Sequence, residues 1–318
     1  MDADSKFNLI VGNTEEVLML GELRELLEKN KTPVAYCGYE VSGEVHLGHL
    51  ITSVKLMDLK KAGFKVKVLL ADWHTYLNRK GSWEEIHDLA KLWRRIFSAL
   101  GFVKSEFVLG STFQKKSEYI ENILEMSAKV TINRGLRSMQ EVARDIEHAK
   151  VSQVIYPFMQ IEDIKSLGVD VAVAGLDQRK IHMLARELLP PLGYKAPICV
   201  HMPIISLRGE EKMSSSKPDT IISARDSPED IKKKVDKAYC PPKITEGNSV
   251  FDMAKLLVLP SFKKFKIERD KKFGGDITFE NLKELEKTYK EGKLHPMDLK
   301  NGVSEYLIKM LKPVRKIR

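Results

Sequence analysis

Hydrophobic and polar positions in the first two-thirds of the chain switch between two periods. A short apolar run at 34–39 predicts a strand, which leads through Gly43 into a helix over 47–61 with a 3.6-residue apolar repeat. The run at 66–71 predicts a second strand. Over 83–100, Ile86, Leu89, Leu92, Trp93, Ile96 and Leu100 recur at helical spacing and predict an amphipathic helix. A buried strand at 169–174, a helix reaching Leu189 and a strand at 198–201 continue the series. Such alternation predicts an α/β fold, a Rossmann-like doubly wound parallel sheet with helices on both faces. The stretch 111–149 breaks the pattern. It is polar and helical, with Arg134, Arg137 and Arg144 at spacings of three and seven, and predicts a helical insertion between two halves of the sheet. After Pro228 the pattern is mostly α-helical. The expected division is a catalytic domain at 1–225 and a helical domain at 226–318.

Composition narrows the function classes. The chain has 318 residues, 43% hydrophobic, and no apolar run near the ~18 residues of a membrane span. Residues 1–13 lack the basic, apolar and small-residue sections of a signal peptide. Cys37, Cys199 and Cys240 show no metal-ligand spacing, and three thiols cannot all pair within one chain, which fits a reducing cytoplasm. Net charge is +9, and residues 226–318 hold 22 Lys+Arg against 15 Asp+Glu. A basic C-terminal section fits a polyanionic partner such as nucleic acid; a solvated helical surface would read the same way.

Ligands of such sheets bind beyond the carboxyl ends of the strands, so chemistry is sought at strand-to-helix junctions. No G-x-x-x-x-G-K-[ST] loop and no G-x-G-x-x-G turn occurs. Instead His46-Leu47-Gly48-His49 stands between the first strand and its helix. Two imidazoles three residues apart face one side of a first helical turn, where backbone N–H groups also attract phosphate. Gly48 lets a flat ring approach the backbone. Lys212-Met213-Ser214-Ser215-Ser216-Lys217 follows the last strand in a polar loop at about 208–218. Its lysines can neutralise phosphate as mobile charges. Between the two, Tyr156, Gln160 and Asp163 fall at i, i+4 and i+7, a polar row on one helix face amid apolar residues. Pro157 is expected in that helix's first turn. Asp72-Trp73-His74 closes the second strand, with His74 a possible pocket residue.

The order of H-x-G-H, helical insertion and K-M-S-S-S resembles the class I aminoacyl-tRNA synthetases, and over nearly the whole chain it looks most like the tyrosyl enzymes of the archaeal and eukaryotic type. Two positions depart from the general signatures: Leu47 replaces Ile, and Ser215 stands where the second lysine of the loop would be, with Lys217 two positions out of register. The resemblance implies tyrosine activation by ATP and transfer to tRNA(Tyr); the alternative is a tryptophanyl enzyme. It places Tyr36 and Asp163 at the phenol hydroxyl, and Tyr156, Gln160 and Gln178 at the α-ammonium group. It places Gly38, His46, Gly48, His49, Gly175, Asp177, Lys212, Ser214 and Ser215 around ATP, with His46, His49 and Lys212 catalytic. It implies ATP with Mg2+ as a substrate complex, no permanently bound cofactor, no protein metal site and a homodimer joined through the insertion. In the C-terminal section it pairs Phe273 and Asp298 with the first anticodon base.

Overall fold

The computed structural model describes residues 1–29, 32–139, 150–207, 213 and 218–317. The chain forms two compact units. The first comprises Met1–Ser42, Lys55–Arg94 and Phe102–Pro203; the second comprises Gly43–Val54, Arg95–Gly101 and Ile204–Arg318.

The first unit carries a six-stranded sheet: β1 (Glu16–Leu18), β2 (Val34–Tyr39), β3 (Lys65–Leu70), β4 (Phe107–Leu109), β5 (Val171–Gly175) and β6 (Ile198–Met202), in spatial order β1-β6-β5-β2-β3-β4. β2 to β6 are parallel, as the alternation predicts. β5 and β6 are buried along nearly their whole length, the mark of strands covered on both faces. β1 departs from the expectation: it is an antiparallel edge strand that pairs Glu16 with His201 of β6. From β2 the chain runs outward through β3 and β4, then returns to β5 on the other side of β2. Strand order therefore reverses between β2 and β5, which pair through Ala35↔Val171 and Tyr36↔Ala172. Sheets of this kind bind ligands at that switch point.

Local chemistry sets the helix ends. Asp2 caps the Ala3–Val11 helix by accepting from the Ser5 amide at 2.7 Å. At the other end the buried Lys55 ammonium donates to the carbonyls of Leu9, Ile10 and Gly12 at 3.1, 3.1 and 2.6 Å, so three otherwise orphaned acceptors are satisfied. Asp72–His74 opens a short helix, Asp72–Leu77, rather than closing a strand. The Val151–Ser166 helix starts six residues before Pro157, so Pro157 lies in its interior and not in its first turn. The insertion, described to residue 139, contains the helices Ser117–Ser127 and Ile132–Met139. Both pack on Val151–Ser166 around a core that includes Tyr119, Ile123, Met126, Ile161 and Ile164. Residues 140–149, with Arg144, lie outside the described residues.

The second unit is mainly helical, with Pro228–Asp236, Leu282–Lys290 and Pro296–Leu311 its longer helices. It also holds an antiparallel hairpin, β7 (Phe265–Ile267) and β8 (Ile277–Phe279), which the apolar pattern does not predict. Gly302 lets the Pro296–Leu311 helix lie directly on β7, because a Cβ there would stand 2.7 Å from Ile267 Cγ1.

Candidate active site

A buried polar cluster in the first unit centres on the Asp163 carboxylate, which is 1% exposed. Its Oδ1 accepts from Gln114 Nε2 and from the Tyr119 hydroxyl, each at 2.8 Å. Gln114 Nε2 also lies 3.1 Å from His74 Nδ1. An amide nitrogen only donates, so His74 Nδ1 accepts and the ring proton sits on Nε2. That Nε2 is 3.5 Å from Asp163 Oδ2. Burial holds His74 down to about 4, so it is neutral. Burial pushes Asp163 up to about 7, against the pull of the Gln114 and Tyr119 donors. Tyr36 on β2 and Tyr156 in the helix are also buried, which raises both phenols well above the usual range. The Gln160 amide works against that rise at Tyr36. The Glu40 carboxylate raises Tyr156 further, and it accepts from Asn78 Nδ2 at 2.8 Å and pairs with Lys80. His74 meets the Tyr156 ring edge to face at 4.7 Å. The structure thus brings Tyr36, Tyr156, Gln160 and Asp163 into one buried neighbourhood of carboxylates, phenols and amides.

The H-x-G-H turn belongs to the second unit. The imidazoles of His46 and His49 lie 3.8 Å apart, centroid to centroid. The His46 amide donates to His49 Nδ1 and the Gly48 amide donates to His46 Nδ1, each at 3.2 Å. Both Nδ1 atoms are acceptors, so in the neutral rings both protons sit on Nε2. Burial lowers His46 to about 4, which makes it a neutral N–H donor. Gly48 makes room for the His46 ring, since a Cβ on Gly48 would stand 2.9 Å from His46 Cε1. Two backbone bonds fix the turn by bridging His46 to Ser223: Leu47 N donates to Ile222 O at 3.1 Å, and Ala224 N donates to Val45 O at 2.8 Å. Glu44 adds an ion pair with Arg225. Of the signature loop, Met213 is buried near Gly48. Lys212, Ser214, Ser215 and Lys217 lie outside the described residues.

Of the other candidates, Gly175, Asp177, Gln178 and Asp298 fall at strand or helix ends, whereas Gly38 lies within β2 and Phe273 between β7 and β8. Gly38 is exposed on β2. Gly175 ends β5, and Asp177 folds back so closely that a Cβ on Gly175 would meet its Oδ1 at 2.5 Å. Gln178 immediately precedes the Arg179–Leu188 helix and is half-buried. Phe273 is 61% exposed in the β7–β8 loop, beside the positive-φ pair Gly274 and Gly275, with Lys272 Nζ 4.9 Å from its ring centroid. Asp298 sits in the first turn of Pro296–Leu311, where His295 caps by accepting from Met297 N. Arg269 ties the Phe273 loop to the approach of that helix by donating to Lys293 O at 3.0 Å. Among the described residues no group of three or more His, Cys, Asp or Glu is placed to hold a metal ion.

Sequence reasoning missed Gln114, Tyr119 and Glu40. Each is ordinary in its local pattern; only the fold carries Gln114 and Tyr119, 49 and 44 positions away, to Asp163.

Comparison with known proteins matches this geometry to one family. The model of the class I tRNA synthetases (W and Y) matches residues 28–312. A tyrosine–tRNA ligase from Archaeoglobus fulgidus is 52% identical over 318 residues, covering 99% of this chain and 98% of the relative. The crystal structure of tyrosyl-tRNA synthetase from Archaeoglobus fulgidus with L-tyrosine superposes with a TM-score of 0.96, covering 99% of each chain. A tryptophanyl-tRNA synthetase from Aeropyrum pernix, 22% identical with a TM-score of 0.73 over 93% of this chain and 80% of its own, shares the fold alone. This chain belongs to the class I tRNA synthetases of the tryptophanyl and tyrosyl group.

Proposed function

We propose that this protein is a tyrosine–tRNA ligase, and the observation that carries the choice of amino acid is the buried Asp163 carboxylate facing Tyr36, Tyr119 and His74. A phenol hydroxyl both donates and accepts. It can donate to ionised Asp163 while accepting from Tyr36. An indole only donates, so the tryptophanyl alternative leaves the second partner without use. Tyr156, Gln160 and Gln178 supply oxygen acceptors for the α-ammonium group.

The tyrosine carboxylate attacks the ATP α-phosphorus in line, giving tyrosyl-adenylate and pyrophosphate. The tRNA terminal ribose hydroxyl then attacks the acyl carbon and AMP leaves. Neither step needs a covalent protein nucleophile; the protein positions the reactants and stabilises charge on phosphate. His46 and His49 offer Nε2–H donors for that charge, and Lys212 supplies a cation. This reading assigns Ser214, Ser215, Gly38, Gly48, Gly175 and Asp177 to ATP, with Asp177 at a ribose hydroxyl. Magnesium enters on the phosphate oxygens of ATP rather than on a protein cage. Residues 1–225 carry this chemistry and 226–318 read the anticodon. A homodimer joined through the insertion is supported by Ile120, Leu124, Ile132 and Val151, large apolar side chains exposed on its helices and at the start of the next. Three cysteines without a disulfide among the described residues fit a cytoplasmic enzyme.

Amino-acid selectivity tests the assignment. Asp163→Ala or Tyr36→Phe is expected to erode discrimination of tyrosine from phenylalanine, measured as the ratio of kcat/KM. A site built to pair a hydroxyl rejects the analogue without it by leaving buried polar groups unpaired, an effect of up to about 10⁵ in the tyrosyl enzyme that supplies the general example. Unchanged selectivity in both variants would remove the phenol site from this cluster.

A further inference from the structure

Two fully buried histidines stand outside the groups assigned above. His201 lies on β6 and His182 in the Arg179–Leu188 helix. His201 Nδ1 is 2.7 Å from Glu16 Oε1 on β1, and its Nε2 is 2.9 Å from His182 Nδ1. The direction of each bond follows from chemistry. A carboxylate only accepts, so His201 Nδ1 carries a proton. Burial holds both rings below their ordinary range, His182 at about 3, so each carries one proton. Glu16 and Asp177 pull His201 the other way and Arg179 opposes them, but burial is the larger effect. His201 Nε2 is then an acceptor, and His182 Nδ1 donates to it. This leaves His182 Nε2 a bare acceptor, buried and without a hydrogen-bond partner among the described residues. Two apolar side chains of similar size would pack there without that cost. The arrangement therefore asks for a role that packing does not supply.

A second arm leaves the same oxygen. Arg179 Nε donates to Glu16 Oε1 at 2.6 Å. Arg179 and His182 are three residues apart, on one face of the first helical turn. One oxygen of an edge-strand carboxylate thus holds that turn at two points, directly through Arg179 and through the histidine pair. Gln178 immediately precedes the turn, and Asp177 lies closed over Gly175 just before it.

We propose that Glu16, His201 and His182 are positioning residues for the amino-acid site, holding Gln178 at the substrate α-ammonium group through the first turn of the Arg179–Leu188 helix. The proposal rests on the assignment of Gln178 made above. The chain of bonds touches neither the phenol cluster nor the H-x-G-H turn, so its loss is felt as ammonium recognition and not as loss of phenol binding.

The test is equilibrium binding of L-tyrosine and of 3-(4-hydroxyphenyl)propionate, which keeps the phenol and carboxylate and lacks the ammonium group. Melting temperature is recorded for every variant. Wild type binds tyrosine more tightly than the analogue. Glu16→Ala and His182→Leu are expected to weaken tyrosine binding about tenfold, the scale of one hydrogen bond to a charged group, and to leave the analogue within about twofold. Glu16→Gln is expected to stay within about threefold of wild type for both ligands, since a single amide oxygen can accept the two bonds that one carboxylate oxygen accepts now. Equal weakening of both ligands, an unmoved ratio in Glu16→Ala and His182→Leu, or Glu16→Gln as impaired as Glu16→Ala would each overturn the proposal. A wild type that does not distinguish the two ligands would instead sink the ammonium-site assignment beneath it.

Discussion

Asp163 shows what the proposed recognition site costs a single residue. Burial raises its folded pKa to about 7 from an ordinary 3.8. Between those values the folded protein keeps a proton that the unfolded chain has released, so this residue lowers stability as pH rises through the window. Asp163→Asn removes the titration. Its stability relative to wild type is expected to grow by about 1 kcal/mol per pH unit from about pH 4 to pH 7 and to stay level above. Denaturant unfolding at several pH values reads this, and a difference independent of pH would contradict it. The row Tyr156, Gln160 and Asp163 was legible because helical periodicity puts i, i+4 and i+7 together without any tertiary knowledge. Gln114 and Tyr119 were not, because their approach to Asp163 depends on how the insertion packs against the Val151–Ser166 helix.

At the scale of elements, legibility followed length and periodicity. β2 and the Leu47–Lys61 helix coincide with the predicted bounds because a six-residue apolar run and a fifteen-residue repeat carry clear periods. β1, β4, β7 and β8 are three residues each, too short to show any period, and only pairing with a neighbour defines them. Pro157 misled because proline suits a first helical turn, whereas Val151, Val154 and Ile155 already recur at i, i+3 and i+4 upstream and the helix begins there. The strand-to-helix junction carries its own prediction. Gly48→Ala sets a methyl 2.9 Å from His46 Cε1, so the ring must turn and its Nε2–H is re-aimed. Gly48→Ala, His46→Ala and His49→Ala are expected to lower kcat toward the ~10²–10³ loss of one strong transition-state donor, with little change in tyrosine KM. Steady-state kinetics beside a melting curve checks this; a change confined to KM or to melting temperature would contradict it.

At the scale of the molecule, two activities are assigned to different stretches of one chain, and the charge asymmetry of the sequence pointed to that separation. In the proposed division, the net positive charge of residues 226–318 would supply affinity for phosphates, whereas base choice needs fixed groups. The exposed Phe273 ring between Lys272 and the Gly274–Gly275 turn suits stacking, and the Asp298 carboxylate suits the two N–H donors of a guanine edge. Phe273→Ala and Asp298→Ala are expected to weaken aminoacylation by about 1–3 kcal/mol in kcat/KM for tRNA while adenylate formation stays near normal. Loss of both activities together would assign these residues to folding. Loss of neither would move anticodon reading elsewhere.

The central claim is that the buried phenol cluster and the H-x-G-H turn serve one reaction, the activation of tyrosine. Amino-acid-dependent ATP–pyrophosphate exchange, run without tRNA on the purified folded protein and across the standard amino acids, tests it most directly. The predicted result is exchange with tyrosine and none above background with tryptophan or phenylalanine. Exchange with tryptophan in place of tyrosine, or no exchange with any amino acid, would contradict it.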